Sequence, residues 1–170
     1  MVLGIYYLTM EKDGDIGEGK FFKSKNEALL AYENKEITLH SKIKVRRTVT
    51  TEDGTEVTGI IDTTLGRLLF NEIIPQDLGY VDRTNDNILK LEIDFHVGKK
   101  QLKPILDKCI NTHGATKTAE VLDDVKAIGY KYSTRGAISV SISDMKVPDE
   151  KKQILADAQT QVDKITKMFR

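Results

Sequence analysis

Apolar positions along the chain change period several times, and each change predicts a new element. Residues 1 to 10, "MVLGIYYLTM", are almost continuously apolar and read as a helix or strand that begins without a cap. The "EKDGDIGEGK" that follows is dense in glycine and charge and predicts a loop. Ser24, with Glu27 three residues on, has the spacing of a capping box for a short helix to about Tyr32. From Ile43 the period becomes two. Ile43, Val45, Arg47 and Val49 fall on one face, and Lys44, Arg46 and Thr48 fall on the other, as in a half-buried strand. Asp53-Gly54 then supplies a hairpin turn, because glycine accepts the positive φ required there, and Val57, Ile60 and Ile61 form the returning strand.

Helical spacing resumes in "DTTLGRLLFNEIIP", where Thr63 or Thr64 caps and Pro75 stops the helix. Residues 76 to 98 are mixed, with a short strand expected at Leu89 to Phe95. A further helix carries Leu102, Ile105, Leu106, Cys109 and Ile110 and closes at Gly114. Another, capped by Thr116 or Thr118, carries Val121, Leu122, Val125 and Ile128 and closes at Gly129. "AISVSIS" alternates strictly and predicts a strand with Ile138, Val140 and Ile142 on one face. Pro148 opens a last helix whose apolar residues, Leu155, Ala158, Val162, Ile165 and Phe169, are spaced alternately three and four apart. That is the seam of a coiled coil, with its partner helix expected further along a longer parent chain. The elements together predict an α+β fold: helices and short antiparallel strands including a hairpin, with the C-terminal helix forming half of a coiled coil.

Composition narrows the chemistry. The 26 basic and 26 acidic residues balance, so contact with nucleic acid or an acidic surface has to be local. Cys109 is the single cysteine, which rules out an internal disulfide and suits a reducing compartment such as the cytoplasm. No stretch of about 18 apolar residues is available to span a membrane. "GDIGEGKF", Gly14 to Phe21, imitates a phosphate loop but puts Phe21 where the magnesium-binding hydroxyl belongs, and Asp15 and Glu18 would repel phosphate. Cys109 and His113 are four apart but lack further clustered ligands for zinc, and a buried cysteine beside a helix-end histidine explains them. Neither a nucleophile with its base nor a pair of carboxylates in catalytic company is recognisable. Arg67 is the odd residue: a cation in a first helical turn opposes the helix dipole, so a carboxylate such as Asp62 or Glu72, or a phosphate-bearing ligand, is expected beside it.

Seven stretches, "MVLGIYYLT", "GEG", "LHSKIKVR", "TTLGRLLFNEIIP", "VGKKQL", "GYKYSTRGAISVSISDM" and "VPDEKKQIL", resemble in order and spacing the largest subunit of cellular RNA polymerases, and most closely its bacterial beta-prime form. The resemblance covers most of the chain outside the hairpin and residues 76 to 95. It implies a pore domain over residues 1–145 and the first arm of the funnel, or rim, helices over 146–170. It also implies that the chain follows an active-centre loop whose aspartates bind catalytic magnesium. On that footing the chain carries no catalytic residue, metal ligand or cofactor of its own, and by itself is inactive. It lines the secondary channel of a DNA-directed nucleotidyltransferase, through which nucleoside triphosphates enter and backtracked RNA 3′ ends leave. Its partners would be the other polymerase subunits, these nucleotides and RNA, and secondary-channel transcription factors.

The resemblance assigns Arg46, Thr63, Thr64, Arg67, Lys99 and Lys100 to the channel, and Gly136 and Asp144 to the turn and strand before the rim. It assigns Asp149, Lys152, Asp157, Gln161, Lys164 and Phe169 to the factor-docking rim helix. Two departures bear on regulation. Ser133 to Gly136 lacks one small residue that many relatives carry, and Ala127 stands where some bacterial members have tyrosine, so the alarmone site found in some of them is not transferred. The competing reading is a free-standing interaction module that uses its C-terminal helix to pair with another protein.

Overall fold

The structure is a computed structural model that describes residues 1–51, 53–84 and 87–169. The chain forms two compact units, Met1–Ile138 and Ser139–Arg170. Arg170, the last residue of the expected rim arm, lies outside the described residues.

In the first unit, α1 (Val2–Thr9) is followed by β1 (Phe21–Phe22), α2 (Lys25–Glu33), β2 (Lys42–Thr50), β3 (Glu56–Thr64), α3 (Leu65–Ile73) and α4 (Lys99–Arg135). The hairpin is the most direct product of the sequence pattern. β2 and β3 pair antiparallel from Lys42↔Thr64 to Thr50↔Glu56, with Gly54 at φ 79° in the turn. Period-two alternation puts Ile43 and Val45 of β2 and Ile61 and Thr63 of β3 into the core, and leaves Lys44, Arg46 and Ile60 exposed. β1 joins the other edge of β2 in parallel, through Phe21↔Lys44 and Phe22↔Val45, so the sheet is mixed rather than wholly antiparallel.

Ser24 caps α2 by accepting from the Glu27 amide, as its spacing predicts, but the Glu27 carboxylate reaches the Lys23 amide instead of Ser24. Thr64, rather than Thr63, caps α3 through the Arg67 amide, worth about 1 kcal/mol. Leu65, Leu68 and Phe70 of α3 then meet Ile5 and Leu8 of α1, and Ile105, Val121 and Val125 of α4, in one core. Helix α1 enters it by close backbone approach. A Cβ on Gly4 would lie 1.7 Å from the Gly129 carbonyl oxygen, and one on Gly66 1.8 Å from the Leu8 carbonyl oxygen.

Three expected elements differ. Leu89 to Phe95 is not a strand, because its backbone is held by side chains: Asn71 bonds both the amide and the carbonyl of Ile93, Gln76 accepts from the Glu92 amide, and Arg47 binds the Leu89 and Lys90 carbonyls. The helix break at Gly114 is real (φ 77°, ψ 179°), but the second segment runs through Gly129 to Arg135, because Gly129 serves the crossing with α1 rather than a helix end. Thr118 does not cap that segment; its hydroxyl donates back to the Gly114 carbonyl at 2.7 Å.

Residues 137–143, "AISVSIS", do not form a strand. No ladder partner exists for them among the described residues, Val140 and Ile142 are exposed, and Ser141 opens a 3-10 turn over Ile142–Asp144. Helix α5 (Lys151–Met168) begins three residues after Pro148, with Glu150 as its N-cap.

Candidate functional site

The C-terminal end of α1 gathers polar side chains from three distant segments. A helix end leaves its last carbonyls without intrahelical donors. Here three side chains from distant segments supply them: His96 Nε2 meets the Tyr6 carbonyl at 3.0 Å, His40 Nε2 the Tyr7 carbonyl at 2.6 Å, and Arg67 Nε donates to the Thr9 carbonyl at 3.2 Å. Because carbonyls only accept, both imidazoles carry their proton on Nε2. His40 packs edge-on against Tyr7, and the His96 ring lies tilted against that of Tyr6. Burial of His40 lowers its pKa below the ordinary value, consistent with a neutral ring. The Thr9 hydroxyl donates to the Ile5 carbonyl and accepts from the Val97 amide, which hooks the start of α4 to the same point.

Arg67 is the hub. Only 9% exposed, it pairs through Nη1 with Glu11 Oε2 at 2.7 Å and with Asp94 Oδ1 at 3.5 Å. The expected carboxylates are elsewhere: Asp62 faces Lys44, and Glu72 bonds Lys25. Asp94 has its pKa raised by burial, with Arg67 opposing the rise. Glu11 also faces Lys42, whose ammonium is strengthened by hydrogen bonds to Asp13 and Glu11. Sequence reasoning missed Glu11, Asp94, His40 and His96. Their signal is three-dimensional, since Arg67 Nη1 bonds Glu11 across 56 sequence positions.

The remaining channel candidates divide. Thr63 and Thr64 adjoin Arg67 at the β3–α3 junction, both buried, and the Thr63 hydroxyl has no hydrogen-bond partner among the described residues. Lys99 and Lys100 are exposed in the first turn of α4, just after the segment tied to Thr9. Arg46 lies on the exposed face of β2, paired in register with Ile60. Arg46, Lys99 and Lys100 form no ion pair among the described residues, so their charge is available to solvent. Gly136 ends α4, and Asp144 accepts from the Ser141 amide at 2.8 Å.

A second network ties residues 76–83 to residues 88–92. Glu92, with its side chain wholly buried, pairs with Arg83 at 2.7 Å and accepts from the Tyr80 amide at 2.5 Å. Arg83 also donates to the carbonyls of Gln76, Ile88 and Lys90. His113 pairs with Asp77 at 2.7 Å, and Cys109 is fully buried with the Thr118 hydroxyl 3.6 Å from its sulfur, so neither offers a ligand pair. No group of three or more metal-capable side chains occurs among the described residues. The phosphate-loop imitation also dissolves: the Gly14 amide bonds Glu18, Lys20 pairs with Glu36, and β1 rather than a helix follows.

In the second unit, Lys152, Asp157, Gln161 and Lys164 lie on α5, Asp149 precedes it, and Phe169 is its C-cap, all exposed. Asp157, Gln161 and Lys164 share one face by their spacing, and Asp157 accepts from Gln153 at 3.1 Å. The seam residues Leu155, Val162 and Ile165 are each more than half exposed. No helix among the described residues is long and apolar enough to cross a membrane.

Comparison with known proteins agrees with these motifs. The chain is 64% identical over 171 residues to the DNA-directed RNA polymerase subunit beta′ of Lachnoclostridium phytofermentans, covering all of this chain and 14% of that one. It is 55% identical to the subunit of the same name from Caldicellulosiruptor saccharolyticus and 57% to that from Acetivibrio thermocellus, covering all of this chain and 15% of each. The chain thus spans about a seventh of the length of these curated relatives. The family model described as RNA polymerase Rpb1, domain 3, matches residues 1–145, and the chain belongs to that family.

Proposed function

We propose that this chain is part of a bacterial DNA-directed RNA polymerase beta-prime subunit, with residues 1–145 lining the secondary channel and residues from 146 onward forming one arm of the rim. The observation that carries the reading is 64% identity along the whole chain to a subunit of that name. The geometry supports a division of labour. Arg67, Thr63 and Thr64 are wall structure, because their groups are buried or engaged by protein. Arg46, Lys99 and Lys100 are the cations free to act on a passing triphosphate or RNA 3′ end, by raising its local concentration through a screened field.

In this reading the chain performs no bond-making step. The catalytic magnesium of the parent enzyme is held by a loop outside the chain, and supplies charge stabilisation during nucleotidyl transfer. The chain's residues shape the route to that centre, and alone it neither polymerises RNA nor hydrolyses nucleotides. Helix α5 and the residues flanking it offer Asp149, Lys152, Asp157, Gln161, Lys164 and Phe169 to secondary-channel factors, and the assembly works in the cytoplasm beside the other polymerase subunits. Replacing Arg46, Lys99 and Lys100 together by alanine in the intact polymerase tests the steering. A raised apparent KM for nucleotides with kcat and melting temperature kept is expected, and unchanged KM refutes it.

The exposed seam of α5 favours one alternative, a module that pairs through this helix with another protein. Concentration-dependent association of the 170-residue chain, abolished by Val162→Asp, would favour that alternative.

A further inference from the structure

A hollow of about 370 Å³ opens at the edge of the sheet where β1 ends, beyond the Phe22↔Val45 pair. Leu68 and Leu91 line it together with Lys25, Arg47 and Gln76, and Arg46 borders it from the opposite face of β2. Glu72 is its one carboxylate, and Lys25 already holds it. Arg47 is therefore left in the hollow without a counter-charge among the described residues.

Arg47 is the unusual member. Half-buried cations in proteins ordinarily face a carboxylate. Arg47 instead spends its hydrogen bonds on neutral oxygens: Nη1 donates to the Leu89 carbonyl at 2.7 Å and the Lys90 carbonyl at 2.8 Å, and Nη2 reaches Gln76 Oε1 at only 3.4 Å. Two short bonds to one nitrogen fix the guanidinium plane, and its Nε–H makes no hydrogen bond among the described residues. That Nε/Nη2 edge is the one that receives an oxyanion bidentately. Its pKa is lowered by burial and by repulsion from Arg83, as befits a charge without compensation.

We propose that the Arg47 hollow is an oxyanion site that takes a phosphoryl group, with Arg47 as the fixed fork; Arg46, on the opposite face of β2, adds only its screened field. The guanidinium is held before the ligand arrives, so little side-chain ordering opposes binding. The proposal does not depend on the polymerase reading, because it concerns a pocket built wholly from this chain.

The test is an amide and methyl NMR titration of the 170-residue chain with inorganic pyrophosphate, repeated with a nucleoside triphosphate. Saturable shifts centred on Val45, Leu68 and Leu91 are expected from both. Arg47→Gln should weaken binding about tenfold or more, since a hydrogen bond to a charged group is lost together with the charge. Arg46→Ala, on the opposite face of β2, should change binding by about twofold or less. Should Arg47→Gln unfold, Arg47→Lys, which keeps the charge and loses the fork, decides the matter with the same expected weakening. Undiminished pyrophosphate binding in whichever of these Arg47 variants folds overturns the proposal. So do shifts confined to Lys99 and Lys100, and so does a response to the triphosphate without one to pyrophosphate, which would place recognition in the base or sugar.

Discussion

Replacing Arg67 by methionine removes the guanidinium while keeping an apolar stem of similar length. The Thr9 carbonyl and Asp94 then lose their partner, and Glu11 keeps only Lys42. Breaking a fully buried pair costs about 3–5 kcal/mol. The cost here is smaller, because the Glu11 and Asp94 side chains are 33% and 51% exposed and water can reach them. The lost charged hydrogen bond to Thr9 adds to it, and the net expectation is a destabilisation of about 2–4 kcal/mol, or roughly 5–15 °C in melting temperature. All six tyrosines lie within residues 1–138, so the tyrosine band of near-ultraviolet circular dichroism follows the first unit.

The same variant has a pH signature. Asp94 already has a folded-state pKa above its ordinary value, owing to burial, and Arg67 holds it down. A raised carboxylate binds its proton more tightly when folded, so stability falls as pH rises from the ordinary carboxylate value through the raised one. Without Arg67 the pKa climbs further and that loss deepens. The gap between the original chain and Arg67→Met should therefore be wider at neutral pH than at about pH 4, where protonated Asp94 no longer needs a cation. A gap under about 0.5 kcal/mol, or one of equal size at both pH values, would refute the hub.

Three other changes check other joints of the fold. Gly4→Ala puts a methyl group 1.7 Å from the Gly129 carbonyl and should cost about 3 kcal/mol by forcing α1 from α4; a thermal melt unchanged by the substitution would contradict the close crossing. Glu92→Gln leaves Arg83 without its buried counter-charge, and a loss of about 3 kcal/mol or more is expected in urea titration, against near-neutrality if the pair is ornamental. Cys109 is fully buried, so an aromatic disulfide reagent should modify it only as fast as the first unit opens; immediate native-state labelling would place the thiol at the surface.

Where neighbours in sequence decide structure, the sequence was legible. The β2–β3 hairpin follows from alternation plus Asp53-Gly54, and Ser24, Thr64 and Pro75 mark helix ends by local chemistry. Legibility failed where distant groups compete for a segment's backbone. Leu89 to Phe95 has strand-like alternation, yet Asn71, Gln76 and Arg47 take the hydrogen bonds a neighbouring strand would have made. Gly129 looks like a helix terminator but is a contact point for Met1 and Gly4. Arg67 showed the same limit at the site: its unfavourable place in the helix was evident, but its partners Glu11 and Asp94 come from loops no periodicity could bring together. The free cations Arg46, Lys99 and Lys100 were legible as candidates, whereas the uncompensated Arg47 emerged only from its hydrogen bonds.

Crosslinking asks whether the exposed cations proposed to face a nucleic-acid and nucleotide channel do so. A photoreactive side chain placed at position 100 of this sequence within the intact polymerase, assembled on a transcript labelled at its 3′ end, should label RNA in a backtracked complex and not in an active-register one. Absence of RNA crosslinks in backtracked complexes, with transcription activity retained, would contradict the account.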